Sequence, residues 1–262
     1  MTPAPGIRHT RLKDSEYAGT PLLKPFYEEC VLPGLVPALA PSAEQWQSLF
    51  TLYIIAAGIV GGAVFVMFFY FLARYRRKPG VPEPNDAPRI GVMADRGNPA
   101  LAAILTALLI SLFFGLTLNT FALNAYLQNP PNDPNALYVD VIGFQWGWRF
   151  VYPNARELLS ELRVPEINRT CTPSVRGCWS GTVILNITSA DVFHSFGIPM
   201  LKIKRDAIPG RINQAWFLVE QSGIFLEAIH CYELCGTGHA FMTADLIVQS
   251  PDSFHDWYVS GV

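Results

Sequence analysis

The sequence predicts an N-terminal hairpin of two transmembrane helices followed by an all-β domain of Greek-key type. Three observations predict it: two long runs without a charge, a basic segment between them, and a change to short alternating runs after residue 127. Half of the 262 residues are hydrophobic, 15% are charged, and the formal net charge is −2. Such a chain has apolar surface for lipid as well as for a core, and no block of like charge that would suit nucleic acid.

Residues 1–45 read as an extramembrane arm. Pro33, Pro37 and Pro41 punctuate its apolar stretch "VLPGLVPALAPSA", and Glu28 and Glu29 stand where a secretory signal would carry basic residues. Residues 46–127 read as the hairpin. The run from Ser48 to Ala73 has no charge and exceeds the roughly 20 residues that a helix needs to cross a bilayer. The run from Asn98 to Leu127 is equally uncharged and opens with Pro99, which suits the first turn of a helix. Spans are expected at about 48–73 and 99–125. A core helix of a soluble protein rarely stays apolar on every face for this length.

Arg74, Arg76, Arg77 and Lys78 follow the first span, and Arg89 and Arg96 precede the second. Positive residues stay inside, so the loop 74–98 is expected in the cytoplasm, with the arm and everything after Leu127 outside. Gly58, Gly61, Gly62 and Ala63 offer small residues for close helix packing. The expected setting is a prokaryotic plasma membrane.

Residues 128–262 begin with the turn-rich linker "QNPPNDPNA". The segments "LYVDVIGFQWGWRFVYP", "GTVILNITS", "INQAWFLVE", "GIFLEAI" and "FMTADLIVQ" are β-branched and aromatic runs bounded by Gly, Pro, Asn and Ser, the pattern of a small sandwich or barrel. Ser250 and Pro251 signal a last short helix carrying Phe254, Trp257 and Tyr258. Trp148, Trp179 and Trp216 are expected in the core. Asn168 and Asn186 head glycosylation sequons.

The chemistry concentrates in "HCYELCGTGHAFM", His230 to Met242, a loop between two expected strands. Cys231, Cys235, His239 and Met242 offer thiolate, imidazole and thioether donors, a set that favours copper. Two thiolates on one loop can bridge two ions, and each ion then needs its own nitrogen. His239 supplies one. Of His9, His194, His230 and His255, the second is assigned to His194, whose segment "SADVFHSFGIP" follows a strand and is expected as a loop beside the first. His230 neighbours Cys231 on a strand and should point to the other face. A structural zinc site on Cys231, Cys235, His239 and His194 has the right ligand count, but it leaves Met242, Trp146 and the hairpin without a role.

The blocks "FQWGWRF", "SADVFHSFGIP", "IKRDAIPGRINQ" and "CYELCGTGHAFM", with the hairpin ahead of them, resemble subunit II of the haem-copper oxygen reductases, the cytochrome c oxidase family. The resemblance runs from about Gln47 to Trp257. It implies a cupredoxin-like Greek-key barrel holding dinuclear copper, the copper A centre. Cys231 and Cys235 would bridge both coppers, and His194 and His239 would complete one each. Met242 would bind weakly and Glu233 through its backbone carbonyl, with the Glu233 carboxylate reaching a magnesium ion at the boundary with the catalytic subunit. Trp146 would receive electrons from an external cytochrome c or small copper protein. The implied partners are catalytic subunit I, whose haem takes the electrons for oxygen reduction coupled to proton pumping, and other oxidase subunits.

The chain departs from that pattern in places. Gly147 replaces an aromatic residue beside Trp146, and Asn98 and Asp95 stand near the position of a family glutamate. Asp191 resembles a family acid beside the docking face. Asp206 and Arg211 are expected to form a structural or subunit-contact ion pair and not a catalytic one. Cys171 and Cys178, close in sequence and outside the cytoplasm, are expected to form a disulfide, with free thiols the alternative; Cys30 has no evident partner. A copper A subunit of a nitric oxide reductase and a membrane-anchored copper-binding protein remain open as alternatives. Quinol oxidases have a related subunit without the copper ligands, and nitrous oxide reductases carry a propeller that this chain lacks.

Overall fold

Two apolar helices precede a two-sheet β domain. The structure, a computed structural model, describes residues 22–23, 41–76, 80, 98–171 and 178–260, with residues 22, 23, 41 and 42 described by backbone alone. His9, Cys30, Asp95 and most of the basic loop expected at 74–98 lie outside the described residues.

Helix α1 runs from Pro41 to Arg74 and α2 from Pro99 to Gln128, lengths of about 51 and 45 Å at 1.5 Å per residue. The only charges are Glu44 in the first turn of α1 and Arg74 in its last. Both helices are long and apolar enough to cross a membrane. Asn98 caps α2: its side-chain oxygen accepts from the N–H groups of Ala100 at 3.0 Å and Leu101 at 3.3 Å, with Pro99 where an N–H would have no partner. The helices meet through a hydrogen bond of 2.8 Å between Tyr53 Oη and Thr120 Oγ1, a polar contact that lipid could not supply. Gly58, Gly61 and Gly62 take no part in this contact, since a Cβ at any of them would meet nothing within 4 Å.

The β domain contains β1 (Leu22–Leu23), β2 (Leu137–Phe144), β3 (Gly147–Val151), β4 (Glu157–Leu159), β5 (Glu161–Pro165), β6 (Val183–Ser189), β7 (His194–Ile198), β8 (Ile203–Ala207), β9 (Asn213–Phe217), β10 (Gly223–Cys231), β11 (Thr243–Gln249) and the closing helix α3 (Pro251–Val259). One sheet has the order β5-β11-β10-β7-β8, with β1 beside β10; the other has the order β4-β3-β2-β6-β9. The β2–β6 and β5–β11 pairings are parallel, which no tight hairpin can close, so the chain crosses between sheets. Strand β2 alternates between buried and more exposed residues as a half-buried strand should. Trp148, Phe150, Phe196 and Phe217 are fully buried between the sheets, each contributing about 1.5–3 kcal/mol of burial. Ser250 caps α3, and Phe254 and Trp257 of that helix pack edge-on against Trp179 and Tyr152.

A bulge in β10 aims the end of that strand at β7. The pairing register with β11 shifts between Phe225 and Ile229, where Glu227 takes a positive φ of 49° and its N–H donates to Asp245 Oδ1 at 2.7 Å. Across the bulge β10 changes neighbours, from β1 at Ile224 and Phe225 to β7 at His230 and Cys231. Cys231 is thereby brought opposite Phe196, on the strand that begins with His194.

Two expectations are corrected. His194 opens a strand instead of lying on a loop: all five residues of β7 are buried, so the segment has none of the alternation that marks a half-buried strand in sequence. Among the described residues Asp206 and Arg211 form no ion pair. Asp206 lies opposite Ser195 across β7 and β8 and accepts its hydroxyl at 2.9 Å, while Arg211 stands in the turn beyond β8. The expected disulfide between Cys171 and Cys178 is formed, and Asn135 Nδ2 donates to Cys171 Sγ at 3.3 Å.

Candidate metal centre

Three segments build the site: the end of β10 with the loop to β11, the start of β7, and the turn between β2 and β3. Cys231 and Cys235 are buried, with their sulfurs 3.8 Å apart. Two sulfurs each about 2.3 Å from a shared ion in a roughly tetrahedral arrangement stand about 3.8 Å apart, so the pair is spaced to share a metal. His194 is fully buried, its Nδ1 3.9 Å from Cys231 Sγ. His239 is half-buried on a short turn of helix, its Nδ1 3.6 Å from Cys235 Sγ. The donor atoms of His194, Cys231 and Cys235 lie within 4.8 Å of one another, and His239 stands outside that group. Each nitrogen contacts one of the two sulfurs, His194 with Cys231 and His239 with Cys235.

Met242 is buried with Sδ 3.8 Å from Cys235 Sγ, and the backbone oxygen of Glu233 lies 3.3 Å from Cys231 Sγ. Burial first, and then the neighbouring Cys231, push the Cys235 thiol up to about 11. A cation that binds there must displace protons.

The environment of His194 selects its tautomer. Its Nε2 lies 2.9 Å from Asp191 Oδ1, and a carboxylate only accepts, so the proton sits on Nε2 and the lone pair of Nδ1 faces Cys231. Burial pushes the Asp191 carboxyl up, but hydrogen bonds from the His194 ring and from the N–H groups of Gln145 and Val192 outweigh it and hold the group below the usual carboxylate value.

Trp146 lies across the ligand loop. It is 37% exposed, and its Nε1 donates to the Cys235 backbone oxygen at 3.1 Å. Close approach explains two glycines of the loop. A Cβ on Gly238 would come within 2.4 Å of Trp146 Cδ2, and Gly236, at φ +118°, faces the same ring at 3.2 Å.

The β strands of this domain match the family model of the cytochrome c oxidase subunit II periplasmic domain over residues 137–250. The chain is 33% identical over 227 residues to a haem-copper oxidase subunit 2 of Aeropyrum pernix, a match that covers 84% of this chain and 92% of that protein. The chain belongs to the cytochrome c oxidase subunit II family. It is also 32% identical over 240 residues to the cytochrome c oxidase subunit 2 of Alkalihalophilus pseudofirmus, spanning 88% of this chain and 64% of that one. Among solved structures it is similar to the periplasmic domain of subunit II of the cytochrome oxidase of Bradyrhizobium japonicum, at 31% identity, 47% coverage of this chain, 91% of that one and a TM-score of 0.37. The fold is that of the family: two apolar helices and a cupredoxin-like β domain.

For a subunit II chain, the donor atoms expected from the sequence gather in one place: Cys231, Cys235, His194, His239, Met242 and the carbonyl of Glu233. His230 is half-buried on β10 with its ring 6.3 Å from that of Tyr232, and His255 is exposed on α3. Sequence reasoning missed what Asp191 and Gln145 do. An acid three residues before His194 and an amide next to Trp146 were the signals, but neither shows its partner without the fold.

Proposed function

We propose that this chain is the subunit of a respiratory haem-copper oxidase that takes electrons singly from a soluble donor and passes them to haem in the catalytic subunit. There they reduce oxygen with proton pumping. The observation that carries this reading is the pair of buried sulfurs 3.8 Å apart with one imidazole serving each. In this reading Cys231, Cys235, His194 Nδ1 and His239 Nδ1 would together hold two coppers. Met242 Sδ and the Glu233 carbonyl are weaker donors. When bound, the copper pair supplies a one-electron carrier that shares the electron over both ions.

The chain's own part is to hold its donors still and dry. Strands β7 and β10 place His194 and Cys231 on a hydrogen-bonded ladder, and burial of Cys231, Cys235 and Met242 excludes water. Trp146 offers an exposed ring one hydrogen bond away from the backbone of Cys235. Glu233 turns its carbonyl inward, and its exposed side chain would be available to a magnesium ion at the boundary with the catalytic subunit. The hairpin anchors the chain, with the basic loop inside and the arm and copper domain outside.

The test is metal analysis and electron paramagnetic resonance on the full chain in mild detergent after copper loading. Two coppers per chain sharing one unpaired electron are expected. One copper, or a site that prefers zinc, would overturn the reading.

A further inference from the structure

One residue outside the donor set touches both halves of the site. Gln145 occupies the turn between β2 and β3. Its backbone N–H donates to Asp191 Oδ2 at 2.7 Å, and Asp191 Oδ1 pairs with His194 Nε2 at 2.9 Å. Its side-chain Nε2 donates to the Cys235 backbone oxygen at 2.7 Å, the same oxygen that accepts from Trp146 Nε1 at 3.1 Å. Two donors on one carbonyl use both of its lone pairs and fix the plane of the peptide that carries Cys235. The fit is close: a Cβ on Gly236 would stand 3.1 Å from Gln145 Nε2.

We infer that Gln145 is a positioning residue that joins the His194 side, the Cys235 side and the Trp146 ring into one unit, and so sets the geometry in which the metals are received. This rests on the copper reading of the site. Main-chain and side-chain bonds have separate roles here. Any substitution except proline keeps the N–H bond to Asp191, so side-chain variants isolate the bond to Cys235. Groups that orient ligands from outside the metal's own donor set change metal affinity or activity by about 10- to 100-fold.

The experiment uses the full chain in detergent with three variants: Gln145→Ala, Gln145→Glu, which keeps the shape but places an acceptor against the carbonyl, and Gln214→Ala as a control. Gln214 bonds Asn186 Oδ1 at 2.9 Å on the exposed face of β9 and β6. Copper loaded into each is read by its visible and paramagnetic spectrum and by its rate of removal with excess EDTA, and the metal-free proteins by amide exchange over residues 235–238. The expected result is a changed spectrum, removal about 10-fold faster and faster exchange in Gln145→Ala, a larger change in Gln145→Glu, and none in Gln214→Ala. A wild-type spectrum, removal rate and exchange in both Gln145 variants would overturn the inference. If the wild type failed to form a two-copper signal, the functional reading would fall, and amide exchange in the metal-free chains would alone decide the role of Gln145.

Discussion

The two histidines of the site are held in different ways. His194 is fully buried at the start of β7, its ring oriented by Asp191 and walled by Gly143, where a Cβ would stand 3.1 Å from His194 Cδ2. His239 is half-buried on a single turn of helix, and among the described residues its ring makes one polar contact, Nδ1 to Cys235 Sγ at 3.6 Å. The difference teaches that one end of the site is fixed by the β scaffold, whereas the other depends on the loop. Scaffold and loop are coupled at Cys235, whose carbonyl receives bonds from the β2–β3 turn.

Removing each histidine is the most direct way to break the comparison. His194→Ala is expected to abolish the two-copper signal, because it takes away the rigid nitrogen that Asp191 orients. His239→Ala is expected to keep about one copper per chain, held by both cysteines and His194. Metal content and paramagnetic resonance on the two variants check this, and equal behaviour of the two would remove the distinction.

A next smaller effect belongs to Gly238→Ala. Its new Cβ would fall 2.4 Å from Trp146 Cδ2, so the ring must shift to make room. Stopped-flow reduction of the copper-loaded chain by a protein donor should slow while copper content stays at the wild-type value. Asp191→Ala would make His194 resemble His239 by freeing its Nε2. Copper affinity should fall about 10-fold, measured by competition with a chelator.

The smallest effect lies away from the site and sets the baseline. Asp133 accepts from Thr182 Oγ1 at 2.7 Å and from the N–H of Asn135 at 2.9 Å. Burial pushes its carboxyl up, but hydrogen bonds from Ser180, Thr182 and Asn135 outweigh it and hold the group below the usual value. A folded value below the unfolded one gives stability that is complete above the ordinary carboxylate range and is lost as pH falls through the folded value. Thermal unfolding of the metal-free chain should therefore fall less steeply between about pH 6 and about pH 3 in Asp133→Asn than in the wild type. An identical slope in the two would show that Asp133 contributes nothing.

What could be read from the sequence was whatever depends on neighbours along the chain. Charge-free runs, read as spans at about 48–73 and 99–125, mark the two long helices, although α1 begins earlier, at Pro41; Ser250 and Pro251 mark the last helix, and the closeness of Cys171 and Cys178 marks the disulfide. The donor-rich run from Cys231 to Met242 announces its chemistry because its ligands sit on one loop. What stayed hidden depends on partners distant in sequence. Strand β5 exists because its residues pair with β11, Glu161 opposite Asp245 and Leu162 opposite Leu246, and β7 is buried on both faces and so shows no alternation. The expected Asp206–Arg211 pair failed for the same reason, since the sheet register gives Asp206 to Ser195. Local pattern thus determined the helices, the disulfide and the donor types by itself. Only the tertiary structure decided that His194 faces Cys231, that Asp191 orients it and that Gln145 binds both sides, because strand register and the β10 bulge, not sequence distance, choose which side chains meet.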